Sequence, residues 1–127
     1  ETIVFVGLKK DKDKLEKTNY KDKFISSSTF QWESENNTTE TSATGIKLLN
    51  TKKVHLFIRK MDDEDGITLP FTYFGTGQFT NMRKSYVDTL DYKGNPYKAS
   101  TLLFDIKLDN IVPDEYRFDF EIPEDIE

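Results

Sequence analysis

The side chains best suited to binding chemistry lie between residues 29 and 37, around the only tryptophan of the chain. Side chains of a strand alternate between two faces, so Phe30, Trp32, Ser34 and Asn36 share one face. Two aromatic planes, a hydroxyl and an amide can stack on and hydrogen-bond a flat polar ligand such as a nucleobase. Alternatively, this face packs in the core, and Ser34 and Asn36 open the next loop. Periodicity alone favours the core alternative.

Catalytic signatures are missing from the sequence. The chain has no cysteine and one histidine, His55, which excludes thiolate chemistry and a histidine-rich metal site. It also lacks a glycine-rich phosphate loop and a nucleophile elbow. The acidic stretch 62–65 does not have the spacing of a calcium loop. We therefore expect no catalytic residue, metal or cofactor in this segment.

The charge is unevenly distributed, although the net charge of −5 argues against a nucleic-acid partner. Acids dominate from Asp105 to Glu127, whereas residues 41–61 and 66–87 contain no acid and carry seven lysines and arginines. Phosphate contacts require local cations, not a basic total. The acid-free stretches are consistent with such contacts or with an ordinary solvated surface.

The pattern of apolar residues predicts an α+β, predominantly β fold. We expect a curved sheet or open β-barrel of about six or seven strands with few short helices. Strands are predicted at Thr2–Leu8, in residues 29–37 (which begin as a strand and end as a polar turn), and at Lys53–Lys60, Leu69–Phe74, Gln78–Val87 and Ser100–Leu108. The first of these is almost continuously apolar, which is typical of a buried central strand.

Several segments are less clearly specified. Residues 9–17 are charged, residues 36–44 form a polar loop, and residues 45–50 have no clear type. Residues 75–77 contain two glycines, which predicts a bulge. Pro113 fits the first turn of a helix, whereas the alternation of residues 116–122 fits a strand. We expect one domain over residues 1–127, cut from the C-terminus of a larger protein.

Five blocks carry a family resemblance. They resemble the C-terminal domain of helicase-linked type IV modification-dependent restriction enzymes. The blocks are residues 20–26 (Tyr-x-Asp-x-Phe-Ile-Ser), 30–36 (Phe-Gln-Trp-Glu-Ser-Glu-Asn), 44–45, 56–59 (Leu-Phe-Ile-Arg) and 70–75 (Pro-Phe-Thr-Tyr-Phe-Gly). The resemblance covers residues 3–75 well and is thin beyond residue 87.

The resemblance implies a SET-and-RING-associated-like (SRA-like) domain of the PUA-like fold. Such a domain would read 5-methylcytosine in duplex DNA by base flipping, with 5-hydroxymethylcytosine as a further candidate. Its partners would be methylated double-stranded DNA and the nuclease and helicase domains of the parent chain. A bacterial cytoplasmic location and a role in phage defence follow from the same resemblance. The sequence has no apolar run long enough to span a membrane.

Two sets of residues are candidates for DNA contacts under this hypothesis. The base pocket would combine stacking rings with groups for the polar edge of the base: Trp32, Tyr73, Phe30, Phe74, Ser34, Asn36, Glu33 and Glu35. A carboxylate can accept a hydrogen bond from the cytosine amino group. The DNA backbone would meet lysines, arginines and hydroxyls: Lys47, Lys52, Lys53, Arg59, Arg83, Lys84, Thr38, Thr39, Ser42 and Thr44. For Arg59, a structural ion pair is an equally good interpretation.

Two other functions remain open from the sequence. The segment could be a protein-interaction or structural domain that docks on the helicase part of its parent protein, as the acidic tail suggests. It could also be a small enzyme that acts on a nucleotide, although the shortage of histidines and metal ligands argues against this.

Overall fold

A computed structural model describes residues 1–9, 21–61, 63–64 and 66–124 of the chain. Most of the charged stretch predicted at residues 9–17 and part of the acidic turn lie outside these residues. The strands are β1 (Thr2–Lys9), β2 (Lys23–Ser26), β3 (Thr29–Glu33), β4 (Val54–Met61), β5 (Asp63–Glu64), β6 (Ile67–Thr68), β7 (Thr72–Leu90) and β8 (Pro96–Leu108). The helix α1 spans Ala43–Leu49, and a 3-10 helix spans Asp114–Tyr116.

Six strands form one curled sheet in the order β1-β4-β7-β8-β3-β2, shaped as a half-barrel. The β1–β4 pair is parallel and the other neighbours are antiparallel. The short strands β5 and β6 form a separate hairpin. This confirms the predicted predominantly β fold with a PUA-like curled sheet and little helix.

The first strand corrects one prediction. Its apolar run predicts a central strand, but β1 stands at the edge of the sheet. Val4 and Val6 point into the core, whereas Ile3 and Phe5 are each 59% exposed. Continuous apolar sequence therefore reflects two apolar faces, one of which lies at the surface in the described part of the molecule.

The hairpin of β7 and β8 lies at the centre of the sheet and contains its two longest strands. Its strands pair from Gly77 opposite Leu108 to Leu90 opposite Pro96. The predicted bulge at residues 75–77 is confirmed, because the β4–β7 register shifts there and Gly75 has a φ of +97°. Residues with a side chain rarely adopt this conformation, which explains the glycine.

The core lies on one face of the sheet. Phe30, Leu56, Ile58 and Ile106 have no exposed surface. The C-terminal segment covers this face with Val112, Phe120 and Ile122, all of which are buried. The segment is a 3-10 helix followed by turns, so Pro113 marks a short helix start and the alternation of residues 116–122 is not a strand.

Candidate functional site

Trp32 packs against the core as a partly buried side chain. Its indole stacks on Phe79 with ring centroids 5.6 Å apart and lies near Phe104 at 6.3 Å. It touches both clusters of buried apolar residues, on the same face of β3 as Phe30. The aromatic face of β3 therefore serves packing, as the core alternative describes.

Tyr73 lies on the opposite face of the sheet. Its ring packs 4.7 Å from Phe57 and its hydroxyl lies 2.9 Å from Nδ1 of His55. The adjacent Phe74 points into the core, and strand alternation sends Tyr73 outward. Trp32 and Tyr73 cannot sandwich one base, which corrects the predicted stacking pair.

The two further walls of the predicted pocket belong to the core. Phe30 is fully buried and meets Phe24 edge to face. Phe74 packs among Phe24, Tyr116 and Phe120. Phe30 therefore has no surface to offer a ligand, and Phe74 is a partly buried ring that packs against the C-terminal segment.

Glu33 and Ser34 also have internal partners. The Glu33 carboxylate is almost fully buried, accepts from the Thr101 hydroxyl at 2.6 Å and pairs with Lys21 at 3.1 Å. Ser34 Oγ accepts from the Leu102 backbone N–H at 2.9 Å. Because their hydrogen bonds are made inside the protein, neither side chain can serve as the polar edge of the predicted pocket. The same bonds join the end of β3 to β8.

The remaining polar candidates of this stretch are exposed. Glu35 accepts a hydrogen bond from Thr44 at 3.2 Å, and Asn36 lies in the turn after β3. Since β3 ends at Glu33, strand alternation does not place Asn36 on the face of Trp32. Both side chains lie on the loop that leads to the site described next.

A cleft of about 410 Å³ lies between this loop and the β7–β8 hairpin. The loop contributes Thr38 and Thr39, two of the predicted DNA-backbone contacts, although Thr38 is only 1% exposed. The hairpin contributes a cation and an aromatic ring. The lining residues are Thr38, Thr39, Glu40, Thr41, Lys84, Ser85, Tyr86, Ser100, Thr101 and Leu102. Ligand pockets commonly have volumes of about 300–1,000 Å³, so the cleft can hold a small planar group.

Local hydrogen bonds hold the loop over the hairpin. The backbone N–H of Thr38 donates to the Ser100 carbonyl at 3.0 Å. Ser42 caps α1, since its Oγ accepts from the N–H groups of Gly45 and Thr39 at 3.1 and 3.0 Å. The predicted polar loop thus ends in a capped helix, which explains its density of Ser and Thr.

Gly45 allows the close approach of loop and helix. A Cβ at this position would overlap the Thr39 carbonyl oxygen. We expect Gly45→Ala to lower the free energy of unfolding by about 1–3 kcal/mol because the backbone must move. Urea denaturation gives the energy, and backbone NMR shifts of residues 38–42 report the displacement.

Ile46→Ala is the matched control for this prediction. Ile46 lies on the same helix with its side chain 48% exposed. Its replacement should change the free energy of unfolding by less than about 0.5 kcal/mol. Unshifted resonances of residues 38–42 in Gly45→Ala would contradict the assigned role of the glycine.

Lys84 carries the positive charge of the cleft. Its Nζ lies 2.9 Å from Oε1 of Glu40, and the side chains are 76% and 41% exposed. The hydrogen bond to Glu40, with the attraction of the carboxylate, raises the pKa of Lys84 above its ordinary value. Water screens this exposed ion pair, so an incoming anion can readily exchange for Glu40.

The other predicted cations are spread over the molecule. Lys47 lies in the last turn of α1, and Lys52 and Lys53 follow it as exposed side chains. Arg59 stacks on Phe71 at 4.5 Å. Arg83 is held on the outer face by Gln31 at 2.9 Å and Asp105 at 3.2 Å. The structure thus gives Arg59 a cation–π contact and Arg83 an internal ion pair, and brings only Lys84 into the cleft.

Sequence reasoning missed seven of the ten residues that line the cleft, and two of the seven, Tyr86 and Glu40, have side chains suited to binding a base. Tyr86 is 61% exposed on β7, with Nζ of Lys98 5.4 Å above its ring, and Glu40 belongs to the polar loop. An exposed tyrosine between Ser85 and Val87 is a signal for binding only once the neighbouring loop is known to lie beside it.

The described part of the chain has neither a cluster of metal ligands nor a membrane-spanning helix. No group of three His, Asp or Glu side chains is arranged there to hold a metal. None of its helices has the length and apolar character to cross a bilayer.

The fold and cleft define a curled, PUA-like β domain with a polar surface site. Residues 1–119 match the family described as Domain of unknown function (DUF3427), so the chain belongs to this family. No curated protein matches the sequence.

Proposed function

We propose that this chain is a DNA-binding reader of 5-methylcytosine that targets a type IV restriction endonuclease to modified DNA. The observation that carries the proposal is the meeting of the polar loop, Lys84 and the exposed ring of Tyr86 in one cleft. A flipped base needs a stacking surface, partners for its polar edge and a cation for its phosphate. The cleft offers all three.

Each part of the cleft has a role in this proposal. Tyr86 stacks on the flipped base, and the hydroxyls of Thr39 and Thr41 serve its edge and the adjacent backbone. Lys84 leaves Glu40 for a phosphate. Glu40 then accepts from the cytosine amino group, as carboxylates do. The exchange replaces one exposed ion pair by two contacts to DNA.

The energies are compatible with this mode of binding. Extrusion of a base costs a few kcal/mol. Stacking returns about 1–3 kcal/mol, and phosphate contacts supply sequence-independent affinity. Burial of one methyl group contributes about 0.8 kcal/mol, which corresponds to about fourfold discrimination.

Titration of matched duplexes tests the proposal. Two duplexes that differ only in one 5-methylcytosine should bind at the same stated salt with affinities that differ by about fourfold or more. A 2-aminopurine beside the target should brighten as its stacking is lost. Equal affinities would overturn the recognition of 5-methylcytosine. A modified duplex bound without brightening would overturn base flipping as the reading mode. The affinity for a duplex with 5-hydroxymethylcytosine shows whether the site also accepts this base.

A second function is favoured by the C-terminal segment. Ile111 and Phe118 are 70% and 92% exposed among acidic residues. Exposed aromatic side chains are typical of docking sites for other proteins. A domain that docks on the helicase part of its parent protein would bind neither duplex, and its capture of the helicase would be lost in Phe118→Ala.

A further inference from the structure

The edge strand β1 has an open row of backbone hydrogen-bonding groups. In a parallel pair, alternate residues direct both N–H and C=O toward the neighbouring strand. The Thr2 N–H donates to the Lys53 carbonyl at 2.9 Å, so Thr2, Val4 and Val6 face β4. Ile3, Phe5 and Gly7 direct their groups to the edge where, in the described residues, β1 has no neighbouring strand.

This edge lacks the usual protection against pairing. Natural edge strands are short, charged, bulged or interrupted by proline. Residues 2–8 contain no charge and no proline, and the strand is eight residues long. A strand of this kind is a template for another strand.

An apolar surface adjoins the open edge on the outer face of the sheet. Phe5 stacks on Phe57 at 4.9 Å and meets Phe71 edge to face at 5.1 Å. Ile3 and Phe5 are exposed. A strand added at the edge would therefore gain side-chain contacts as well as backbone hydrogen bonds.

We propose that β1 is an interface at which two copies of this chain pair antiparallel, with Phe5 opposite its counterpart. This register sets Ile3 opposite Gly7, so all three edge-facing residues can pair both backbone groups. A twofold interface must be complementary to itself, and this strand meets that condition.

The side chains are compatible with the same register. The bulky Ile3 meets Gly7, which has no side chain to collide with it. The two Phe5 rings lie on one face and join the aromatic clusters of the two copies. Val4 lies opposite Val6, which continues the apolar inner face. Aromatic and β-branched pairs of this kind stabilise antiparallel strands.

Sedimentation equilibrium and amide hydrogen exchange test the interface together. The mass should rise from 14.8 kDa toward twice that value with concentration. The amides of Ile3, Phe5 and Gly7 should become protected only as the dimer forms. Val4 and Val6 are the internal control, because their amides bond to β4 in either state.

Each other outcome overturns the proposal. A monomer at about 1 mM excludes an interface of useful affinity. A dimer without protection of the three amides uses another surface. Protection without a rise in mass means that another part of the chain covers the edge.

Two variants at residue 3 make the test specific. Proline is tolerated where the N–H faces away from the sheet, so Ile3→Pro removes a bond only at the new interface. We expect it to raise the dimer dissociation constant at least about tenfold. Ile3→Thr keeps the N–H, so its dissociation constant should stay within about threefold of that of the parent chain. Should Ile3→Pro fail to fold, Phe5→Lys sets two like charges opposite each other and should give a monomer. Equal dimerisation of folded variants and parent chain would overturn the register.

Discussion

Replacement of Trp32 by alanine is expected to lower the free energy of unfolding by about 3 kcal/mol. The indole stacks on Phe79, lies beside Phe104 and contacts both clusters of the core, so its loss opens a cavity between them. Total stabilities of small domains are about 5–15 kcal/mol, and the loss would therefore be a large fraction. Urea denaturation followed by far-UV circular dichroism measures it.

Tyr86→Ala is the control for this prediction. Its ring is 61% exposed, so its removal should change the free energy of unfolding by less than about 0.5 kcal/mol. If Trp32→Ala instead kept the stability of the parent chain and lost only its preference for modified DNA, the indole would be a ligand contact. The assignment of Trp32 to the core would then be wrong.

The strands could be predicted from the sequence because their periodicity is local. Residues 54–59 alternate buried and outward side chains as expected, and the glycines at 75 and 77 mark the bulge. These signals depend on backbone conformation and near neighbours. They carry no information on which strand lies beside which.

The exposure of β1 could not be predicted for that reason. Continuous apolar sequence indicates two apolar faces, but the sheet order decides whether both are covered. The same limit applies to Tyr73 and Trp32. Alternation assigns each to a face of its own strand, and only the order of the strands shows that these faces are opposite sides of one sheet.

The helix α1 and the cleft show a different limit. Ser42 and Gly45 form a cap whose signal is spread over a run of polar residues, and that run also fits a loop. The cleft joins residues 38–41 to residues 84–86 and 100–102. Contacts over such separations arise from the pairing of β3, β7 and β8. This pairing cannot be predicted from the local pattern of residues in one sequence.

The buried Glu33 shows how chemistry can mislead sequence reasoning. A carboxylate beside a tryptophan is a reasonable partner for a cytosine amino group. In the structure its bonds to Thr101 and Lys21 satisfy it internally. A buried carboxylate needs such partners, so its function is to join β3 to β8.

Loss of the Tyr86 ring is expected to weaken binding of the modified duplex by about five- to 150-fold. The reason is the loss of one base–aromatic stack, which contributes about 1–3 kcal/mol. The effect should appear in the dissociation constant from fluorescence anisotropy at fixed salt, while the slope of affinity against salt stays the same because no phosphate contact changes. Tyr86→Phe keeps the stacking surface and should bind within about threefold of the parent chain.

Tyr73→Ala is the matched control, since this tyrosine is 49% exposed on the outer face and lines no part of the cleft. Its removal should leave DNA binding unchanged while it loosens the packing with Phe57. The two alanine variants decide between two surfaces of the same sheet. Loss of binding in Tyr73→Ala, with normal binding in Tyr86→Ala, would move the site to the outer face. Far-UV circular dichroism spectra like that of the parent chain show that both variants fold, and the comparison then isolates the stacking surface that the flipped base uses.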